Sequence, residues 1–328
     1  MLPAPVVLLP KRRHFRRNSN TEGAFRRRKL QDLLLSRARI TNLAFFLLAF
    51  AFSISIFINL KHLLTSQSSP LPQSILSTIS RENTHLDHLI VVPCHAVWLG
   101  GASEDRNLER LWLLEPYQQG SGRLKAFFQH ILKAAQLALE DTRSLVIFSG
   151  GQTRPAATIT EGESYLQLAL QADVFHISFS SVIRATSENY ALDSFQNLLF
   201  SIARFHEYTG RYPQKITVVG YEMKRRRFTE LHREAIRWPT DRFFYIGIDP
   251  DDGPEERANA MDGELQNGFI PYTKDLYGCH TQLVFKRLLR NPHLRFHSYY
   301  TSSPELRELL DWCPEDMDAL FHQKLPWS

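Results

Sequence analysis

The sequence predicts an α/β protein in three layers, a parallel sheet covered by helices on both faces, preceded by one membrane-spanning helix. Three observations predict it. From His85 onward, short apolar runs alternate with longer amphipathic ones. The short runs are rich in β-branched residues and nearly uninterrupted, as strands buried on both faces must be. Residues 43–60, LAFFLLAFAFSISIFINL, carry no charge.

The chain opens on a basic tail, residues 1–42. Its segment 11–39 holds eleven Lys and Arg against Glu22 and Asp32, a net +9. The whole chain is +5, so the remainder is about −4 and gives no electrostatic footprint for nucleic acid. Eighteen helical residues at 43–60 reach about 27 Å, close to the hydrocarbon thickness of a bilayer. A cleaved signal peptide has a shorter charged region and a shorter apolar core. The segment therefore reads as a signal anchor, with a buried soluble helix as the bland alternative. KRRHFRR at 11–17 and RRRK at 26–29 keep the N-terminus cytoplasmic by the positive-inside rule. The expectation is a single-pass protein of the endoplasmic reticulum, Golgi or another endomembrane, with its large domain on the far side. There is no N-x-[ST] sequon to support that placement. The basic tail could also meet anionic lipid or act in sorting.

Residues 61–84 read as a stalk rich in Ser, Pro, Gln and Thr, and residues 85–328 as one domain. Its first strand is His88–Val92. Arg123–Leu139 has helical spacing, with Leu124, Phe127, Phe128, Ile131, Leu132 and Leu139 toward a core. Ser144–Phe148 is the second strand and Glu163–Ala172 a helix. A third strand is expected within Val174–Arg184. Tyr190–Tyr208 is a long amphipathic helix, Lys215–Gly220 a strand, Thr229–Arg237 a helix, and Arg242–Ile248 a strand ended by Asp249-Pro250. Asp275–Leu289 and Pro304–Asp311 close the chain as helices. The three cysteines, Cys94, Cys279 and Cys313, lack metal spacing; they read as free buried thiols, with a Cys279–Cys313 bridge as the alternative.

In such sheets ligands sit beyond the carboxyl ends of the strands. After the first strand comes His95. After the second come Ser149, Gly150, Gly151, Gln152 and Arg154, then Thr160-Glu161. Glycines there let backbone N–H groups approach an anion, and Arg154 adds a charged fork. A tight turn with nothing bound fits the glycine pair equally well. Glu188, Asp193, Ser194 and Asn197 stand around the start of the long helix, where Ser194 and Asn197 share a face and Asp193 or Ser194 could simply be its N-cap. After the fourth strand, Lys224 to Arg227 and His232 form a basic segment, of which Arg225 and Arg226 read as a solvated face.

Together these segments resemble the YdcF/SanA-like family (domain of unknown function 218). The resemblance rests on Ser149-Gly150-Gly151, Thr160-Glu161, Ser194-x-x-Asn197 and Arg227-Phe228 with His232, in that order. It is nearest the fungal branch, in which PCHA, SGGQTR, DSxxNLLFS, RF-x-x-x-HR and a C-terminal YGC recur, and it covers about residues 86–315. Gly162 stands where the family usually has Ala, a change that reads as mild. The resemblance implies a Rossmann-like fold and little about chemistry.

The first functional expectation is a small anionic ligand, nucleotide-like or a phosphorylated sugar, at the strand ends. His95, Glu161, Glu188, Asp193 and His232 are the acid–base candidates. Gly150, Gly151, Gln152, Arg154, Ser194, Asn197 and Arg227 are the ligand-binding candidates. The second is a lumenal glycosyltransferase-like enzyme using Asp249 and Asp251 as a DxD cation site, although DPDDG is also a turn composition. The third is a non-enzymatic secretory-pathway or envelope factor. G-x-G-x-x-G, Walker, G-x-S-x-G and H-E-x-x-H motifs are absent. No motif identifies a cofactor, a resident metal or a protein partner.

Overall fold

A computed structural model describes residues 42–63, 83–120, 122–176 and 183–328. The chain falls into two units, residues 1–69 and 70–328. In the first, α1 (Asn42–Leu63) runs 22 residues with mean hydropathy 2.4, long and apolar enough to cross a membrane.

In the second, β1 (His88–Pro93) is followed by a two-stranded antiparallel ribbon, β2 (Val97–Trp98) with β3 (Trp112–Leu113). Then come α2 (Arg123–Glu140), β4 (Ser144–Ser149), α3 (Glu161–Gln171), β5 (Ala185–Glu188) and α4 (Ser194–Thr209). β6 (Lys215–Gly220) leads into a π turn at Arg227–His232, α5 (Arg233–Ala235) and β7 (Phe243–Gly247). The C-terminal third carries α6 (Pro254–Glu264), α7 (Ile270–Lys274), α8 (Thr281–Leu289), α9 (Tyr299–Ser302) and α10 (Arg307–Leu310).

The five long strands form one parallel sheet, ordered β5-β4-β1-β6-β7. Along the chain that is third, second, first, fourth, fifth, the doubly wound Rossmann-like arrangement. Its strands alternate between two cores. Leu89 and Val91 face α4 and the C-terminal helices, while Ile90 and Val92 face α2 and α3. Every residue of β1 and β4 is buried, which is why their apolar runs are continuous.

Most expected elements form within a few residues of their expected bounds. The third strand is a correction: Ala185–Glu188 lies just past the expected window, and its sequence ATSE has no apolar run to reveal it. α6, α7, α9 and the β2–β3 ribbon were not expected. α6 buries none of its residues, so it has no core-facing stripe to read. Its signal was chemical instead: Pro254 in the first turn with Glu255 and Glu256 beside it. Asp275, expected to open a helix, lies outside α8, in a turn through Gly278 (φ 62°). Its carboxylate accepts from the Cys279 and His280 N–H groups. Cys279 and Cys313 are bridged, Cα–Cα 5.9 Å, correcting the free-thiol reading, and Cys94 is a free buried thiol.

Candidate functional site

Winding reverses between β1 and β6, the position at whose carboxyl rim doubly wound sheets place their ligand crevice. Four segments supply its side chains: the loop after β1, the turn from β4 into α3, the start of α4, and the segment from Tyr221 through the π turn.

The β4–α3 turn is built by close packing. Gly150 N–H donates to the Glu188 carbonyl (3.0 Å) and Gly151 N–H to the Ala191 carbonyl (2.7 Å). Neither N–H is available to an anion, a correction to the cradle reading of the pair. The glycines are there for space. A Cβ on Gly150 would lie 2.8 Å from Glu161 Cβ, and one on Gly151 would lie 2.8 Å from the Ala191 carbonyl oxygen. At Gly162 it would meet two backbone carbonyl oxygens, Phe148 at 2.5 Å and Glu188 at 2.6 Å. The change to Gly162 is therefore a steric requirement here and not a mild one. α3 starts at Glu161, two residues earlier than expected, because Thr160 and Glu163 form a capping box.

From this turn a chain of contacts runs to α4. The Thr153 hydroxyl hydrogen-bonds Glu161. Ser149 Oγ contacts Asn197 Oδ1 (3.0 Å) and donates to Glu188 Oε2 (2.8 Å). Three residues back along α4, Ser194 Oγ shares a 2.7 Å hydrogen bond with His232 Nε2. Gly150, Glu161, Asn197, Ser194 and His232 thus share one connected rim.

Two acid–base candidates are occupied elsewhere. Glu188 is fully buried, and donors surround its carboxylate: Ser149 Oγ, Tyr299 OH and the Tyr190 and Ala191 N–H groups. Burial pushes its carboxyl up despite those donors. It ties the rim together and presents no edge to a ligand. Asp193 is the N-cap of α4, accepting from Gln196 N–H at 2.8 Å, and it pairs with Arg287. Burial pushes its carboxyl up, but Arg287 overrides this and leaves it below the usual carboxylate range.

The ligand-binding candidates also divide. Arg154 is half-buried and pairs with Glu115, and Gln152 bonds Ala157 O and Arg295, so both serve the flank of the rim. Arg227 is buried and pairs with Glu264 through Nη2 (2.9 Å), while its Nε and Glu264 Oε1 are buried without partners. Arg225 and Arg226 pair with Glu222 and Glu230 on the surface, as a solvated face would. Asp249 accepts a long bond from Met223 N–H (3.4 Å) and Asp252 one from Gly122 N–H (3.2 Å), and Asp251 is exposed. Those contacts fit a turn. Among the described residues, the group of three possible metal ligands is Cys279, His280 and Cys313, two of which are spent in the bridge.

The residue that sequence reasoning passed over is Lys224. Its Nζ lies 3.5 Å from His95 Nδ1 and 5.2 Å from the centre of the Tyr221 ring. His95 itself stacks on Tyr221, 4.7 Å between centroids, and its Nε2 is buried without a partner. Desolvation, then the Arg227 charge, lower Lys224 to about 7; Glu264 and Glu161 oppose, and Arg290 adds to the lowering. His95 is held well below its ordinary value by burial, then by Lys224. His232 is also held well below, by burial and then Arg227. Both imidazoles are thereby held toward the neutral form, and Lys224 is brought into the range where it can give up its proton near neutral pH. A buried lysine at that poise beside a neutral histidine is the arrangement that acid–base chemistry uses. In sequence, Lys224 is the first of four consecutive cations and nothing sets it apart. A cavity of about 190 Å³ lies between the start of α4, at Phe195 and Gln196, and the Cys279–Cys313 bridge.

Three comparisons bear on relationship. No family model matches the chain. The uncharacterised protein YOR238W of Saccharomyces cerevisiae is 29% identical over 294 residues, covering 73% of this chain and 97% of the yeast protein. No solved structure matches.

Proposed function

We propose that the rim between β1 and β6 binds a small anionic ligand, a nucleotide-like or sugar-phosphate-like molecule, and that Lys224 and His95 are its acid–base pair. The observation that carries this is the convergence of Lys224, His95 and Arg227 at the crevice of a doubly wound sheet, with His95 Nε2 and Arg227 Nε buried and unpaired. Arg227 supplies fixed charge, held in place by Glu264. Lys224 supplies charge that can be given up near pH 7. Glu161, Ser194 and Asn197 line the same rim and orient neutral parts of the ligand. The ordered Ser149-Gly150-Gly151, Thr160-Glu161, Ser194-x-x-Asn197 and Arg227-Phe228 motifs are what supports membership of the YdcF/SanA-like family.

We further propose that α1 spans an endomembrane with the basic tail in the cytoplasm and the domain in the lumen. The Cys279–Cys313 bridge supports it, since disulfides persist in oxidising compartments. Protease added to sealed microsomes should leave the domain intact; its digestion would reverse this placement.

The test of the ligand is titration calorimetry on the full chain in nanodiscs, against nucleotides, nucleotide sugars and sugar phosphates. Binding should weaken as pH rises through about 7, where Lys224 loses its proton. Lys224→Met should cost about ten-fold in affinity, the worth of one charge-assisted hydrogen bond, and remove that pH dependence. A ligand that binds Lys224→Met as tightly as the wild type would overturn the assignment. No binding across the panel would favour a non-enzymatic role for the domain.

A further inference from the structure

The segment 281–303 has two properties that rarely coincide on a water-facing surface. It holds Lys286, Arg290 and Arg295, whose bonds go to neutral oxygens and leave their charge uncompensated, beside Arg287, whose charge is spent on Asp193, and not one Asp or Glu. It also exposes large apolar side chains: Phe285 by 59%, Leu288 by 68%, Leu289 by 64%, Leu294 by 86% and Phe296 by 73%. Phe285, Leu288 and Leu289 are spaced i, i+3, i+4 on α8 and so share one face, opposite the buried Leu283.

The turn after α8 is built to hold Leu294 outward. Leu294 has φ 50°, a region leucine seldom occupies. Asn291 keeps it there: its Oδ1 accepts from Arg295 N–H (2.9 Å), its Nδ2 donates to Arg295 O (3.1 Å), and its carbonyl accepts from Leu294 N–H (3.1 Å). A conformation of this kind persists only where its surroundings enforce it. Phe296 is fixed as well, stacked on His297 (5.0 Å) and Tyr300 (5.6 Å). The backbone thus presents Leu294 to solvent, and Phe296 beside it stands in an aromatic stack.

We infer that this face docks on the surface of an anionic lipid bilayer. A helix with an apolar face, flanking cations and no acids is the chemistry that lies in a membrane interface. The same chain carries α1, a helix able to span a bilayer, and only residues 64–87 separate it from β1. On the proposed reading that α1 spans a bilayer, the domain is tethered within reach of a lipid surface. Tethering turns docking into an intramolecular step, so even a small face is occupied. A second copy of the chain fits less well, because like charges along 281–303 would repel.

The test places a nitroxide at Leu294→Cys in the full chain, reconstituted in phosphatidylcholine vesicles with and without phosphatidylserine. A control label sits at Glu140→Cys, at the exposed C-terminal end of α2. With phosphatidylserine, the label at 294 should be shielded several-fold from a water-soluble relaxant and open to dissolved oxygen, while the label at 140 stays in water. Leu288→Glu with Leu289→Glu should return the 294 label to water in the same vesicles. Equal water exposure at 294 and 140 would overturn the inference. So would shielding that disappears on dilution with unlabelled lipid, which would mean that a second copy covers the face.

Discussion

At the scale of single residues, burial decides meaning. Lys224 reads in sequence like Arg225 and Arg226 beside it. In the fold those two pair with surface carboxylates, while Lys224 turns toward His95 and its charged form is disfavoured. Gly162 reads as a tolerant small residue, yet a Cβ there has two carbonyl oxygens closer than any real contact allows. Gly162→Ala should therefore cost about 3 kcal/mol or more, as overpacking against backbone does. Urea unfolding checks this; a loss below about 1 kcal/mol would show that the turn yields. His130 is fully buried, Nε2 on the Ile248 carbonyl (2.8 Å), and burial lowers it to about 4. An unfolded histidine takes up a proton near pH 6.5, whereas this one refuses until about 4. Between those values the unfolded chain binds more protons, so stability rises with pH. Acidification across that window should remove about 3 kcal/mol through His130 alone. His130→Gln should flatten the dependence of unfolding free energy on pH there, whatever it does to stability at neutral pH.

At the scale of elements, caps and turns aim the site. α4 begins at Ser194 because Asp193 caps it, and that start sets Ser194 and Asn197 on one rim-facing stretch. The π turn at Arg227–His232 does the equivalent on the other wall. It lets Arg227, Phe228 and His232 all be buried within six residues. Such turns recur at functional sites. Asp193 does two jobs, and two substitutions separate them. Asp193→Asn keeps a good cap but leaves Arg287 without its anion; Asp193→Ala loses both. Breaking a buried pair costs about 3–5 kcal/mol and losing a cap about 1 kcal/mol, so Asn should account for most of the Ala loss. Chemical denaturation of both variants checks the split; an Asn variant close to wild type would mean the ion pair adds little. The capping box Thr160–Glu163 was present in the sequence as a T-x-x-E pattern, and so was the Pro-Glu-Glu start of α6. Both are local signals. β5 offered none: its polar residues are strand only because they pair with β4.

At the scale of the whole molecule, the C-terminal third packs over the α4 face of the sheet, and the bridge closes it. Cys279 and Cys313 are 34 residues apart, so the link should restrict the unfolded chain by about 3–4 kcal/mol on loop-closure grounds. Replacing both with Ser should lower the urea midpoint accordingly; the same stability with and without the bridge would remove it as a structural element. The same region carries Arg287 to Asp193, Arg290 to the Leu192 carbonyl and Arg295 to Gln152, so closure of this third also frames the rim.

The sequence by itself determined the α/β class, the parallel sheet, the apolar helix and the order of polar segments along the rim. Those follow from periodicity and from residues close together in the chain. Tertiary structure alone decided which polar groups are spent and which are free. Glu188 is saturated by Ser149 and Tyr299, Asp193 is neutralised by Arg287, and Lys224 meets His95 across 129 positions. Desolvation and hydrogen-bond partnership are set by neighbours distant in sequence, and no local pattern encodes them.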